Sequence, residues 1–233
     1  MKKIMFSDRF DLTDAVLTWL KTMTRRWANV PDGFDNPVMG IDKKGRVYFT
    51  VEGNDGARLD IYPAYQIGEE VAVAQCYEDA ILYVGEEEWH RQRKWYRIEN
   101  LRKRAGFHNK MFVQSDLMPH RIKITDIKLE RLNDISDEDC RKEGIICVNF
   151  RQWLKQDIDD FSPQKYVDHD VWTLPIFRNG IENGWEEQSK DNIAAYDAKT
   201  AFVVLFAKLA HKEPRDVHSL NPWVFVYEFK LIK

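Results

Sequence analysis

With 233 residues, 44% of them hydrophobic and 13% aromatic, the chain has ample material for a packed core and fits one large domain or two small ones. Lys and Arg number 35 against 38 Asp and Glu, a formal net charge of −3, which excludes a basic field over the whole molecule, so any nucleic-acid binding must come from a local patch. The three cysteines, Cys76, Cys140 and Cys147, have neither disulfide-framework nor zinc-knuckle spacing, and are expected to be reduced thiols.

Residues 3–7 read as a short strand. Its apolar run stops at Phe6, too short for a signal-peptide core, and no window approaches a membrane span, so a cytoplasmic protein without a membrane partner is expected. Asp11 or Thr13 can cap a helix whose apolar face is Leu12, Val16, Trp19, Leu20 and Met23. Lys21, Thr24 and Arg25 then fall at its end or in the following turn. Pro31-Asp32-Gly33 signals a turn, and Asn54-Asp55-Gly56 joins the strand 45–51 to a partner at 58–62. Val71 to Tyr77 is a nearly unbroken small apolar run, the mark of a buried strand.

From Glu86 to Arg104 the pattern predicts a charged helix with Trp89, Trp95, Tyr96, Ile98 and Leu101 interleaved, and Lys110 to Val113 predicts a strand. Met118-Pro119 breaks the pattern. Arg121 to Leu132 then alternates over its whole length, as a long strand bulged near Asp126 would. Ser136 caps a helix that runs to Gly144. Residues 145–190 are irregular, aromatic-rich and polar. Asp197 to Ala210 is an amphipathic helix, and Asn221-Pro222 launches a C-terminal strand at Trp223. Strands with intervening helices, and no repeat or linker, predict one α+β domain around a small barrel or strongly bent mixed sheet.

Four pieces resemble the ASCH family, a branch of the PUA-like folds. They are Lys21-Thr22-Met23-Thr24-Arg25-Arg26; Gly68-Glu69-Glu70-Val71-Ala72-Val73-Ala74-Gln75; Met118-Pro119 leading through 121–132 to Ile135-Ser136-Asp137-Glu138-Asp139 and Glu143-Gly144-Ile145; and Ala201-Phe202 with Asn221-Pro222-Trp223-Val224. Their order is similar to that in the longer family members common in phage and prophage genomes. The resemblance implies a single PUA-like domain over 1–233, a small β-barrel with flanking helices, with an insertion near 145–190. It also implies a pocket for RNA or a modified nucleotide, lined by Lys21, Thr24, Arg25, Arg26 and Gln75 with Met118 and Pro119 nearby.

Some small family members use Lys, Thr and a strand Glu to hydrolyse the amide of N4-acetylcytidine. Lys21 and Thr24 match that catalytic pair, and on a helical turn they would share a face. Gln75 stands where the glutamate would be, and glutamine exchanges no proton at neutral pH, so binding is favoured over hydrolysis. Glu78, three residues on, would face the other way on a strand. Arg25 and Arg26 suit phosphate through bidentate contacts, and equally suit a helix C-terminus. Lys21 also reads as a solvated helix-end lysine.

A second basic feature is Arg91, Arg93, Lys94, Arg97, Arg102, Lys103, Arg104 and Lys110, with Trp95, Tyr96 and Phe107 between, in a stretch (91–110) where Glu99 is the one acidic residue. Basic side chains draw phosphate and aromatics stack on bases. The competing reading is an amphipathic helix partly neutralised by Glu86, Glu87 and Glu88. Asp168, His169 and Asp170 read as a solvated loop, and neither metal nor cofactor is expected. Cys76 on a buried strand reads as an inert small hydrophobe. An apolar patch around Trp153, Phe161, Trp172 and Phe177 would make the insertion a surface for a protein partner.

Overall fold

The computed structural model describes residues 1–92, 97–149, 170–174 and 193–232. Its centre is a mixed five-stranded sheet in the order β1 (Lys3–Ile4), β6 (Glu70–Val73), β7 (Arg121–Arg131), β11 (Trp223–Ile232) and β2 (Met23–Trp27). β1 pairs with β6 in parallel, and the other neighbours are antiparallel. A second sheet of three strands runs β3 (Phe34–Ile41), β4 (Val47–Gly53), β5 (Arg58–Ile61), and a third joins β8 (Ile146–Asn149), β9 (Asp170–Thr173) and β10 (Ala194–Ala195). The mixed α+β class predicted from the pattern is observed. The main sheet is not closed into a barrel among the described residues.

The alternating stretch forms the middle of that sheet because Ile122, Ile124, Ile127 and Leu129 all go into the core. The register between β7 and β11 slips where Glu228 faces Asp126 but Phe229 faces Ile124, which leaves Thr125 unopposed. This is the bulge expected at the neighbouring residue. Helix α5 (Asp137–Lys142) is capped by the Ser136 hydroxyl, which accepts from the Asp139 N–H at 3.1 Å. Helix α6 (Ala198–Leu209) is capped by Asp197, which accepts from Thr200 N at 2.8 Å. Both caps satisfy first-turn donors that would otherwise lack partners.

Three local expectations are corrected. Helix α1 (Leu12–Leu17) stops at Thr18, because Trp19 adopts a positive φ of 67°, and Met23, Thr24, Arg25 and Arg26 pair with β11 as an edge strand. Trp19 and Leu20 are left exposed. The charged segment after Glu86 is not one helix. Helix α2 (Tyr77–Val84) leads to α3 (Glu86–Gln92), and α4 (Ile98–Leu101) starts after Arg97 in an extended conformation. Lys110–Phe112 is a 3-10 turn, not a strand.

Strand β3 was hidden by Pro37, which sits where the register slips between Asp35 and Val38. Proline is tolerated in a strand at such an irregularity. Helix α7 (Pro214–Leu220) precedes β11. Among the described residues no helix is long and apolar enough to cross a membrane.

The two ends of the main sheet approach one another. Arg26 on β2 donates from Nη2 to the carbonyl of Met5, just past β1, at 2.6 Å, and lies 5.7 Å over the Phe6 ring. Phe6 in turn packs against Phe229 of β11 at 5.9 Å. The sheet therefore curls enough for a side chain, though not a ladder, to bridge its edges.

Candidate functional site

Alternation along β2 sends Arg25 and Arg26 to opposite faces. Arg25 points toward α5 and α6. Its Nε and Nη2 donate to Glu130 Oε1 at 3.1 and 2.7 Å, Nη2 also reaches Asp139 Oδ2 at 3.0 Å, and Nη1 reaches Glu143 Oε1 at 3.2 Å. Its guanidinium also lies 5.6 Å over Phe202. Lys21, 2% exposed, donates to the side chain of Glu143 and to the Glu143 backbone carbonyl, the latter at 2.8 Å. Two buried cations are thus answered by three carboxylates, one of which, Glu143, binds both.

Burial pushes the Lys21 pKa below the usual lysine value, the nearby Arg25 and Arg26 charges push the same way, and Glu143 holds it up in part. Arg25 is held above its ordinary value by Glu143, Glu130 and Asp139, against the cost of burial. Gly144 follows with φ +99°, and a Cβ there would meet Lys21 Cβ at 3.6 Å. That glycine lets the chain leave α5 with the Glu143 carbonyl and carboxylate both turned toward Lys21.

These groups floor a cavity of about 430 Å³ along the free edge of β2. Because it wraps that edge, it takes side chains from both faces of the strand. Lys21, Thr24, Arg25, Arg26 and Glu143 line it together with Arg9, Lys208, His211 and the rings of Phe6, Phe10, Trp27, Phe202 and Phe206. Trp27 is 41% exposed and stacks on Phe206 at 6.0 Å. The Thr24 hydroxyl makes no hydrogen bond among the described residues. Arg26 spends one N–H on Met5 and keeps the rest of its five donors clear of protein acceptors among the described residues.

Of the residues the sequence grouped into one pocket, the structure brings together Lys21, Thr24, Arg25 and Arg26, and separates the others. Gln75 lines a different cavity, its Oε1 2.7 Å from His120 Nδ1. Met118 is buried in a second core cluster with Trp89 and Leu101, and its sulfur accepts from Gln75 N at 3.3 Å. Pro119 is half-buried and does not line the Lys21 cavity. The reason is sheet order: β7 and β11 stand between β6, which leads to Gln75, and β2. Glu143 and its partners Glu130 and Asp139 were not singled out as site residues. The one sequence signal for Glu143 was its place before the helix-ending Gly144.

Among the described residues of the basic stretch, the charges are partly paired and partly exposed. Arg93 and Lys94, with Trp95 and Tyr96, lie outside the described residues. Arg91 pairs with Glu88, and Arg102 lies 4.0 Å from Glu86, as the upstream glutamates suggested. Arg97, Lys103 and Arg104 are exposed, while Trp89, Ile98 and Leu101 face the core. Lys110 is a structural pin that donates to the Phe6 carbonyl, to Asp8 Oδ1 at 2.7 Å and to Thr13 Oγ1 at 3.2 Å.

The three cysteines are free thiols. Burial pushes Cys76 up to about 11 and Cys140 up to about 12, so neither supplies a thiolate at neutral pH. Cys76 instead caps α2, accepting from Asp79 N at 3.4 Å. Within the insertion, Trp153, Phe161, Phe177 and His169 lie outside the described residues. Trp172 is half-buried against the main core, with Arg141 5.1 Å over its ring.

Fold and site together define a mixed α+β protein with a buried charge network beneath a basic, aromatic-lined cavity. The chain matches no protein-family model, and no curated protein or solved structure is significantly similar to it.

Proposed function

We propose that the chain is a nucleotide- or RNA-binding protein of the ASCH, PUA-like type, and that the cavity at the edge of β2 holds one nucleotide. The observation that carries this reading is Arg26, a cation with unused donors set in a cavity walled by aromatic rings. Guanidinium groups with free N–H pairs suit phosphate, and ring faces suit bases. A volume near 430 Å³ is within the range of small-ligand sites. Arg9 and Lys208 add positive charge at the wall. Lys21 and Arg25 do not serve as phosphate ligands in this reading, because carboxylates already hold them; they form a polar floor that, with the Thr24 hydroxyl, meets the base.

The half-exposed Trp27 gives the test its signal. Nucleoside monophosphates and short single-stranded RNA, titrated at low salt, should quench tryptophan fluorescence, and added salt should weaken RNA binding. Arg26→Ala should reduce nucleotide affinity about tenfold, the loss of one charge-assisted contact. Absence of binding by both ligand types at low salt would sink the reading.

Amide hydrolysis on an acylated nucleobase is favoured by a separate observation. Glu143 contacts Lys21 in the cavity that Thr24 lines, and so supplies a carboxylate where Gln75 does not. In that reaction a water would add to the acyl carbon, giving its proton to the Lys21–Glu143 pair, while the Thr24 hydroxyl donates to the acyl oxygen; the C–N bond then breaks, the pair returns the proton to the cytidine amine, and acetate leaves. Incubation with N4-acetylcytidine should then release cytidine, and Lys21→Ala should abolish it. Equal cytidine from the wild-type chain and this variant counts decisively against hydrolysis of that substrate.

A further inference from the structure

The sheet of β3, β4 and β5 ends on β3 at one side and β5 at the other, and the two edges differ. At β3, Pro37 has no N–H to offer and the register slips beside it. The Phe34 carbonyl accepts from Trp223 Nε1 at 3.1 Å, and Arg131 holds Asp35 at 2.8 Å. Such features keep another strand from adding. β5 has none of them among the described residues. Its Arg58, Leu59 and Asp60 are all exposed, and the strand carries neither proline nor lysine.

The hairpin register fixes where the β5 backbone groups point. Gly53 N donates to the Ala57 carbonyl at 2.7 Å, so these facing residues form a hydrogen-bonded pair. Such pairs alternate along an antiparallel ladder, so Val51 with Leu59 and Phe49 with Ile61 bond likewise. Arg58 and Asp60 therefore aim their N–H and C=O groups away from β4, toward the open edge. Side chains follow the same alternation. Leu59, 37% exposed, lies on the face of buried Val51, and Arg58 and Asp60 share the opposite face. One carboxylate oxygen of Asp60 accepts from Thr50 Oγ1 at 2.6 Å, and Arg58 Nε lies 3.6 Å from Glu52 Oε1.

We infer that β5 is the pairing surface for a second copy of this chain, joined antiparallel across a two-fold axis at Leu59. In that register Arg58 faces Asp60 of the second copy, and Asp60 faces its Arg58. The outward backbone groups of these residues exchange hydrogen bonds on both sides of the axis, and opposite charges face each other each time. Leu59 meets its own counterpart as a non-hydrogen-bonded pair, the closer kind, which covers its exposed side. The run Arg-Leu-Asp is thus complementary to itself when reversed, as an isologous interface requires. An unrelated strand would have to supply an acid and a base at the same spacing. A contact of this size forms a weak, concentration-dependent dimer.

The test is sedimentation equilibrium of the full chain, which should show a monomer–dimer equilibrium with a dissociation constant of about 10–100 µM. Over that range, hydrogen exchange at the Arg58 and Asp60 amides should slow as concentration rises, while Leu59 and Ile61 stay protected throughout. Arg58→Asp and Asp60→Arg each set like charges opposite one another, and each should weaken self-association about tenfold. Mixed in equal amounts, the two variants should pair with each other, because every Arg again faces an Asp. The exchange measurement uses the wild-type chain, so it decides the matter even if a variant misfolds. The inference is overturned if the chain stays monomeric up to about 1 mM, if exchange at Arg58 and Asp60 does not depend on concentration, if either variant dimerises as the wild-type chain does, or if the folded variants fail to associate on mixing.

Discussion

The ammonium of Lys21 donates to both the side chain and the backbone carbonyl of Glu143, 122 positions away. With Arg25 on the other carboxylate oxygen, Glu143 is the hub of the buried charges. Removing one member of such a pair leaves a charge in a low-dielectric interior, which commonly costs about 3–5 kcal/mol. Glu143→Gln is therefore expected to destabilise the protein by that amount in urea unfolding. The double variant Lys21→Met, Glu143→Gln should lose less than the sum of the singles, with a coupling of about 1–3 kcal/mol. Additive losses would mean that the pair contributes nothing jointly.

Arg25→Lys tests whether the guanidinium shape or the charge alone is required. Three nitrogens of Arg25 reach Glu130, Asp139 and Glu143 at once. An ammonium carries the same charge but cannot span that fan. A loss of about 2–3 kcal/mol is expected, equivalent to one or two charge-assisted hydrogen bonds. Unchanged stability would show that the charge suffices.

Gly144 allows a test of the backbone beneath Glu143. Its φ of +99° is costly for any residue with a Cβ. Gly144→Ala should cost about 1–2 kcal/mol by thermal or chemical unfolding. If the Glu143 carbonyl shifts with it, the variant should also lower the coupling between Lys21 and Glu143 measured in the double-variant cycle.

The alkaline limb of stability carries a signature of Cys140. Its thiol ionises near 9 when unfolded, and burial holds it to about 12 when folded. The folded state then binds more protons between those values, so this contribution is intact below pH 9 and is lost as pH rises toward 12. Cys76, held to about 11, and Tyr227, held to about 12, act in the same direction. Lys21 acts oppositely: its folded pKa is lowered, so the unfolded chain binds more protons in the window up to 10.5, and stability gains there as pH rises. Cys140→Ala should make the fall in stability above pH 9 shallower in urea titrations at stepped pH. An unchanged slope would exclude a contribution from this thiol.

Much of the fold was written locally in the chain. The alternation from Arg121 needs only a sheet with one apolar face to become β7. Ser136 and Asp197 cap helices through donors three residues away, and Asn54-Asp55-Gly56 turns a hairpin within its own span. Each of these signals acts over a few residues, and a sequence displays them directly. The helical spacing through Met23 misled because it was also local, whereas pairing with β11, some 200 residues on, set β2.

The site divides along the same line. The sequence by itself determined that Lys21, Thr24, Arg25 and Arg26 are chemically apt neighbours, and they do share a cavity. Only the tertiary structure decided what they face. Sheet order put two strands between them and the strand that leads to Gln75, and it brought α5 over β2 so that Glu143 answers Lys21. The physical reason is that a buried charge must find an opposite charge wherever the fold supplies one, and no local pattern records a partner 122 residues away.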